Sequence, residues 1–84
     1  MTDYELALQK EVYSAINTER DYQDSLNGRT LEIGEEILLL EEYIVRARVQ
    51  WTGNFASEES TLHMIRKVAG IAVRCMEHHG APRR

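Results

Sequence analysis

Cationic side chains recur at helical spacing in the last third of this sequence. In the stretch Thr61–His79, Arg66, Lys67 and Arg74 lie on the polar side of a predicted helix, with Gly70 among them. Glycine inside a helix costs about 1 kcal/mol relative to alanine, which indicates a close approach to this backbone. The pattern is typical of a core helix with a solvated charged face. It also fits a gap ringed by cations, where a phosphate-bearing ligand or a second copy of the helix docks.

A second candidate site lies in the segment Ser25–Thr30. Its Asn27-Gly28 pair favours a turn, because both residues tolerate positive φ. Thr30 is the predicted N-cap of the next helix, whose free amides would form an anion site beside Arg29. Capping alone would also explain Thr30. The chain has no GxxxxGK[ST] motif, so this segment is not a nucleotide-binding P-loop.

An aromatic side chain is predicted on the polar side of the first helix. Tyr13 falls there with Asn17 and Arg20, opposite the apolar stripe. Exposed tyrosines are common and often have no function. In this position, however, Tyr13 would also be able to stack on a base, with Arg20 near it.

Three glutamates offer an alternative, enzymatic chemistry. Glu32 with Glu35 or Glu36 puts carboxylates on adjacent turns of one helix, as at the start of the magnesium site of MazG-like, all-α nucleoside triphosphate pyrophosphohydrolases. Such a site needs acids from a second helix as well. The chain has no aspartate after Asp24, and Thr61–His79 offers only Glu77. A solvated acidic face accounts for most of these glutamates, and the hydrolase remains the alternative function.

Nucleophilic and metal chemistry find little support in the sequence. The single Cys75 excludes an internal disulfide, and with three scattered histidines it has no zinc-ligand spacing. Cys75 lies on the apolar side of its helix, where a small buried hydrophobic role is expected. No nucleophile is paired with a base. We therefore predict a protein that is not an enzyme and holds no metal or cofactor.

Three predicted helices must position these residues. Hydrophobic periodicity and capping signals place them at about residues 3–25, 31–51 and 57–79, in a single all-α domain spanning 1–84. Ser57 is the predicted cap of the third helix, and Gly53 and Gly80 end the second and third. Within the first helix, Glu19 points into the apolar stripe. It therefore needs either a buried partner or a solvent-exposed position at the edge of the stripe.

The apolar faces of these helices exceed what one small protomer can cover. The first helix has one predicted buried stripe: Tyr4, Leu8, Val12, Ala15, Ile16 and Tyr22. The second helix has two, namely Ile33, Ile37, Leu40, Ile44, Ala47 and Trp51, and on the other side Leu31, Leu38, Val45 and Val49. We expect one of these two to face the protomer core and the other a neighbouring subunit.

Length and charge restrict the partners. A chain of 84 residues hides only about 60% of its unfolded surface, so self-association is expected to stabilise it. The net charge is −4, and every acid except Glu77 precedes the basic stretch from Thr61 onward. Polymeric nucleic acid would be repelled by most of the surface, whereas a small anion in a local basic pocket would not. The charged start and the lack of an apolar run of roughly 18 residues predict a soluble, cytosolic protein without a membrane partner.

Three strings in this sequence, in this order, resemble one family. They are VYSAINTERDYQDSLNGRT (12–30), GEEILLLEEYIVRARVQW (34–51) and IRKVAGIAVRCMEHHGAPRR (65–84). They are similar to the small phage proteins of the anti-CBASS type 2 family, which are sponges for cyclic oligonucleotides. The similarity covers nearly the whole chain and depends on the order and spacing of the strings rather than on one motif.

The resemblance implies an all-helical homohexamer in the cytoplasm of an infected bacterium. Such a protein binds cyclic dinucleotides like 3′,3′-cGAMP between protomers and, in some members, cyclic trinucleotides at separate sites. Binding withholds the signal from the CBASS effector, and nothing is cleaved.

The family's ligand-binding residues can be carried over to this chain. Its base-stacking tyrosine falls on Tyr13 and its phosphate-contacting threonine on Thr30, which places Gly28 and Arg29 in the dinucleotide site. Its trinucleotide-binding arginine falls on Arg66, in the cationic stripe whose Gly70 and Arg74 would line the second site with it. The lysine of the family's phosphate loop is absent, and Arg29 is the only cation there, so ligand preference is expected to differ.

Overall fold

The protein is built from three helices. The computed structural model describes residues 1–26, 28–53 and 56–84, and all regular secondary structure in these ranges is helical: α1 (Asp3–Ser25), α2 (Ile33–Thr52) and α3 (Glu58–His79). The predicted all-α class is confirmed. Asn27, in the predicted turn, and Asn54 and Phe55, after the second helix, lie outside the described residues. Across those three ranges, no helix is long and apolar enough to cross a membrane.

Capping side chains explain where two of the helices begin. Thr2 caps α1: its hydroxyl accepts from the Glu5 N–H at 3.1 Å, and the Glu5 carboxylate faces the Thr2 amide in return. Ser57 caps α3 as predicted, and its hydroxyl accepts from the Ser60 N–H at 2.9 Å.

The start of α2 differs from the prediction, because Thr30 is not its N-cap. Glu32 occupies that position, and its N–H donates to the carboxylate of Glu35 at 3.0 Å. A glutamate at the third helical position satisfies the cap amide without help from a hydroxyl. Gly28 also lacks the positive φ expected of the turn; among the described glycines only Gly80 has one, at 112°.

Helix α3 is the centre of the fold and packs against both α1 and α2. No Cα atoms of α1 and α2 come within 8 Å of each other in the described ranges. The α1–α3 crossing is at Gly70, which is buried. A Cβ placed on Gly70 would lie 2.7 Å from Cγ of Glu19 and 2.8 Å from Nε2 of Gln23. The close approach predicted at this glycine is therefore made by α1 of the same chain, and α1 fills the predicted gap.

Buried ion pairs join α3 to both of the other helices. Ile71 is the only hydrophobic residue in the described ranges that counts as buried, at 4% exposure, whereas three charged residues are buried: Glu19, Arg20 and Glu36. Each of the three pairs with a residue of α3, in the ion pairs Glu19–Arg66 (3.0 Å), Arg20–Glu77 (2.6 Å) and Glu36–Arg74 (2.9 Å). The partner predicted to be necessary for Glu19 is thus Arg66.

The prediction of which side of α1 is buried was only partly right. The α1 stripe was expected to face the core, but Tyr4, Leu8, Val12 and Tyr22 are exposed. Arg20, predicted on the outer side, is buried instead, and it donates to Glu77 and Asp24. Periodicity identifies an apolar face but cannot say what covers it. In this protomer α3 packs on the edge of the stripe that carries Ile16 and Glu19, and on the neighbouring Arg20.

Only part of the first predicted stripe of α2 faces the protomer core. Ile33, Ile37, Ile44 and Trp51 of the first stripe are exposed, as are Leu38, Val45 and Val49 of the second. The side of α2 that faces α3 carries the other two residues of the first stripe, half-buried Leu40 and Ala47, together with half-buried Tyr43 and buried Glu36. The accessible surface is 6806 Å². A compact monomer of 9.7 kDa exposes about 5,100 Å².

Candidate anion-binding cleft

An open cleft of about 450 Å³ lies where the three helices meet the segment between α1 and α2. The end of α1 forms one wall with Gln23, Asp24 and Leu26, and α3 forms another with Arg74 and His78. The remaining lining residues are Gly28, Arg29, Thr30, Leu31 and Glu36. This volume is within the range of small-ligand sites.

Arg29 is held at the cleft by Glu35. Its Nη1 donates to Oε1 of Glu35 at 2.8 Å, and its Nη2 donates to Oε2. The hydrogen bond from Arg29, with a second from the Glu32 N–H, lowers the pKa of Glu35 from 4.5 to about 2. The same hydrogen bond raises the pKa of Arg29 above its ordinary value. Glu35 is therefore ionised at neutral pH and competes with any anion for Arg29.

Arg74 is held more rigidly, by a carboxylate that is only 1% exposed. Its Nη2 lies 2.9 Å from both carboxylate oxygens of Glu36, and its Nε lies 3.2 and 3.3 Å from them. Within the described part of the chain, Nη1 of Arg74 has no hydrogen-bond partner. One edge of the guanidinium is thus fixed by α2, while the side chain, 18% exposed, lines the cleft.

The segment before α2 is tied to the end of α3. Nε2 of His79 lies 2.8 Å from the carbonyl oxygen of Leu31. Gly28 and Thr30 are exposed, and a Cβ on Gly28 would meet no heavy atom within 4 Å. The backbone at Gly28 therefore has open space in front of it. Comparisons with family models, with curated proteins and with solved structures find no match to this chain. The ligand class of the cleft must be inferred from its side chains.

Three of the four residues predicted for a dinucleotide site lie together, and the fourth does not. Gly28, Arg29 and Thr30 line the cleft. Tyr13 is on α1, eleven residues before Asp24, which corresponds to about 16 Å along the helix axis. It is 59% exposed and does not line the cleft of its own protomer. Tyr13 can join such a site only if a second copy brings it there.

The structure divides the predicted second site. Gly70 is covered by Glu19 and Gln23 of α1, so its face is not open to a ligand in the protomer. Arg74 lines the cleft with Arg29 and Thr30 instead. Arg66 lies on the other side of the crossing, where it pairs with Glu19 and borders an apolar groove of about 800 Å³ between α1 and α3.

Sequence reasoning missed the role of Glu36 and the placement of Arg74. Glu36 was predicted to be a solvated carboxylate, yet it is the most deeply buried side chain described. Glu36 shares a helical face with Leu40, Tyr43 and Ala47, but hydrophobic periodicity does not detect Glu36 as part of that face, because it is charged. A buried glutamate requires a cationic partner, and Arg74 on the facing helix was the available signal.

The glutamates of α2 are not arranged as a metal site. Glu35 is paired with Arg29 and Glu36 with Arg74. In the ranges that the structure describes, no group of three or more histidine, cysteine, aspartate or glutamate side chains is placed to hold a metal ion. Cys75 is a free, half-buried thiol. The carboxylates at the cleft thus position arginines.

Proposed function

We propose that this protein is a phage-encoded sponge that binds cyclic oligonucleotide second messengers without cleaving them and so inhibits host CBASS immunity. Its ligands are cyclic dinucleotides of the 3′,3′-cGAMP type. The observation that carries this proposal is the cleft of about 450 Å³, which Gly28, Arg29 and Thr30 line together. The segment that carries them is the one that the family resemblance implies for the dinucleotide site.

The chemistry of the cleft suits a phosphodiester. Planar guanidinium groups donate paired hydrogen bonds to phosphate oxygens, and both Arg29 and Arg74 reach the cleft. The exposed backbone at Gly28 allows close approach of a ligand. Asp24 and Glu36 also line the cleft, and this acidity disfavours highly charged polyphosphates relative to a diester with one charge per phosphate.

A homo-oligomer, with a hexamer expected from the resemblance, would complete the site. The protomer exposes roughly 1,700 Å² more than a compact monomer of its mass, whereas a typical interface takes about 800 Å² from each partner. Much of the exposed surface is apolar and lies along both stripes of α2 and the stripe of α1. A second copy would bury it and bring a Tyr13 to the cleft, where it would stack on a base.

A separate site for cyclic trinucleotides is proposed around Arg66. This arginine is half-buried, held by Glu19, and borders the apolar groove between α1 and α3. Neither Gly70 nor Arg74 lines that groove. Within this proposal, therefore, Arg66 keeps its predicted role, while the other two residues serve the α1–α3 crossing and the first cleft.

Capture and release of an intact ligand tests the proposal. The purified protein is mixed with 3′,3′-cGAMP, separated from free ligand, heated and analysed by chromatography. We expect intact 3′,3′-cGAMP in the heated fraction. If the ligand is released as a linear product, the protein is a hydrolase and not a sponge. If the protein captures no ligand at all, the proposal is refuted. A parallel incubation with magnesium and nucleoside triphosphates tests the pyrophosphohydrolase alternative.

A further inference from the structure

The geometry points to Arg74 as the fixed phosphodiester-binding side chain of the cleft, positioned by Glu36. The inference deepens the proposed function and rests on it for the nature of the ligand. It differs from the site implied by the family resemblance in one respect. The cation on which binding mainly depends comes from α3 and not from the segment between α1 and α2.

Arg29 and Arg74 differ in what they must give up to bind an anion. Both terminal nitrogens of Arg29 donate to Glu35, so a phosphate must displace that carboxylate. Arg74 is bound to Glu36 through Nε and Nη2, which leaves Nη1 without a partner in the described ranges. A phosphate oxygen can accept from Nη1 while the ion pair remains intact.

Glu36 supplies the rigidity that such a contact needs. Its side chain is 1% exposed, and its two oxygens accept from Arg74 on the facing helix. An arginine held in one orientation loses little conformational entropy when a ligand binds. The buried carboxylate also offsets the charge of Arg74, so the cleft attracts a phosphate mainly by directed hydrogen bonds.

A second paired arginine, outside the cleft, provides a matched test. Arg46 pairs with Glu42 at 2.7 Å on the exposed side of α2, whereas Arg74 pairs with buried Glu36 and lines the cleft. In Arg74→Lys the single ammonium can keep the pair with Glu36 but has no second nitrogen for a ligand. We expect it to weaken 3′,3′-cGAMP binding about tenfold or more by calorimetry. Arg46→Lys should leave binding of this dinucleotide unchanged, and equal losses in both variants would overturn the inference.

Glu36→Gln distinguishes positioning from a merely structural role. Glutamine keeps a hydrogen bond to Arg74 but removes the offsetting charge. We expect 3′,3′-cGAMP to bind about threefold more tightly or better, with a steeper salt dependence. A structural role alone would weaken binding, and that result would contradict the inference.

Circular dichroism and solution mass are measured for each variant. If Arg74→Lys fails to fold, the double variant Glu36→Gln/Arg74→Gln, a neutral hydrogen-bonded pair, must show the same loss.

A simple phosphodiester separates this inference from the proposed function. The wild-type protein is titrated with dimethyl phosphate, and the Nε–Hε resonance of Arg74 is followed by NMR. A shift at Arg74 without any 3′,3′-cGAMP binding would refute the proposed ligand and support the cleft. If 3′,3′-cGAMP binds equally well to the wild-type protein and to Arg74→Lys, the inference about Arg74 is refuted but the proposed function is not. If neither ligand binds, both fail.

Discussion

Glu36 and Arg74 form the most deeply buried ion pair described in this protein, and it joins α2 to α3. Removing one partner leaves a buried charge without compensation. We expect Glu36→Ala to lower the free energy of unfolding by about 3–5 kcal/mol, measured by urea denaturation. Replacing both residues, as Glu36→Met/Arg74→Leu, should recover most of that loss. A cost below about 1 kcal/mol for Glu36→Ala would mean that water reaches the pair.

Gly70 and Gly34 give opposite expectations for the same substitution. A methyl group on Gly70 would lie 2.7 Å from Cγ of Glu19, which is held in place by Arg66, so α1 must shift. We expect Gly70→Ala to cost about 1–3 kcal/mol in the free energy of unfolding. Gly34 is also helical, but nothing lies within 4 Å of its added Cβ. Gly34→Ala should be neutral or stabilising by up to about 1 kcal/mol. Equal effects would contradict the close α1–α3 crossing.

The Arg29–Glu35 pair should give stability a specific dependence on acid. The pKa of Glu35 falls from 4.5 to about 2 on folding, so between these values the unfolded chain binds more protons than the folded one. The contribution of Glu35 is therefore complete above pH 4.5 and is lost as the pH falls through about 2. NMR titration of the Glu35 carboxyl carbon should show this midpoint. Glu35→Gln should remove this pH dependence, and a midpoint near 4.5 would exclude the pair in solution.

Tyr13 is expected to contribute to ligand binding through its ring alone. Stacking of a base on an aromatic residue contributes about 1–3 kcal/mol, so Tyr13→Ala should weaken 3′,3′-cGAMP binding about tenfold or more, whereas Tyr13→Phe should not. Calorimetry measures both variants. Because Tyr13 is about 16 Å along α1 from the cleft, the loss should appear only in the oligomer. Full affinity in Tyr13→Ala would remove this residue from the site.

Self-association should depend on the exposed stripes of α2. Val45 and Gln50 are both exposed on this helix, but only Val45 belongs to an apolar stripe. Analytical ultracentrifugation of the wild-type protein should give a multiple of 9.7 kDa. Val45→Glu should shift the distribution toward the protomer, because a charge would be buried at the contact. Gln50→Glu, which adds the same charge, should not. A wild-type protein that sediments as a single copy would refute the oligomeric site.

The sequence by itself determined the three helices and the ends of α1 and α3, but not the start of α2, where Glu32 rather than Thr30 is the N-cap. The bounds of α1 and the cap at Ser57 followed from local chemistry. These features depend on neighbours within a few residues, and the spacing of side chains along a helix records them directly. The grouping of Gly28, Arg29 and Thr30 followed as well, since they are adjacent in the chain.

Only the tertiary structure decided which face of each helix is inside. Periodicity assigned apolar stripes to the core, yet α3 packs on the faces that carry Glu19, Arg20 and Glu36. Ion pairs between residues 38 to 57 positions apart leave no local pattern, because either partner alone resembles a solvated charge. Arg74 therefore moved from the predicted second site to the cleft of Arg29, where the position of α2 against α3 places it.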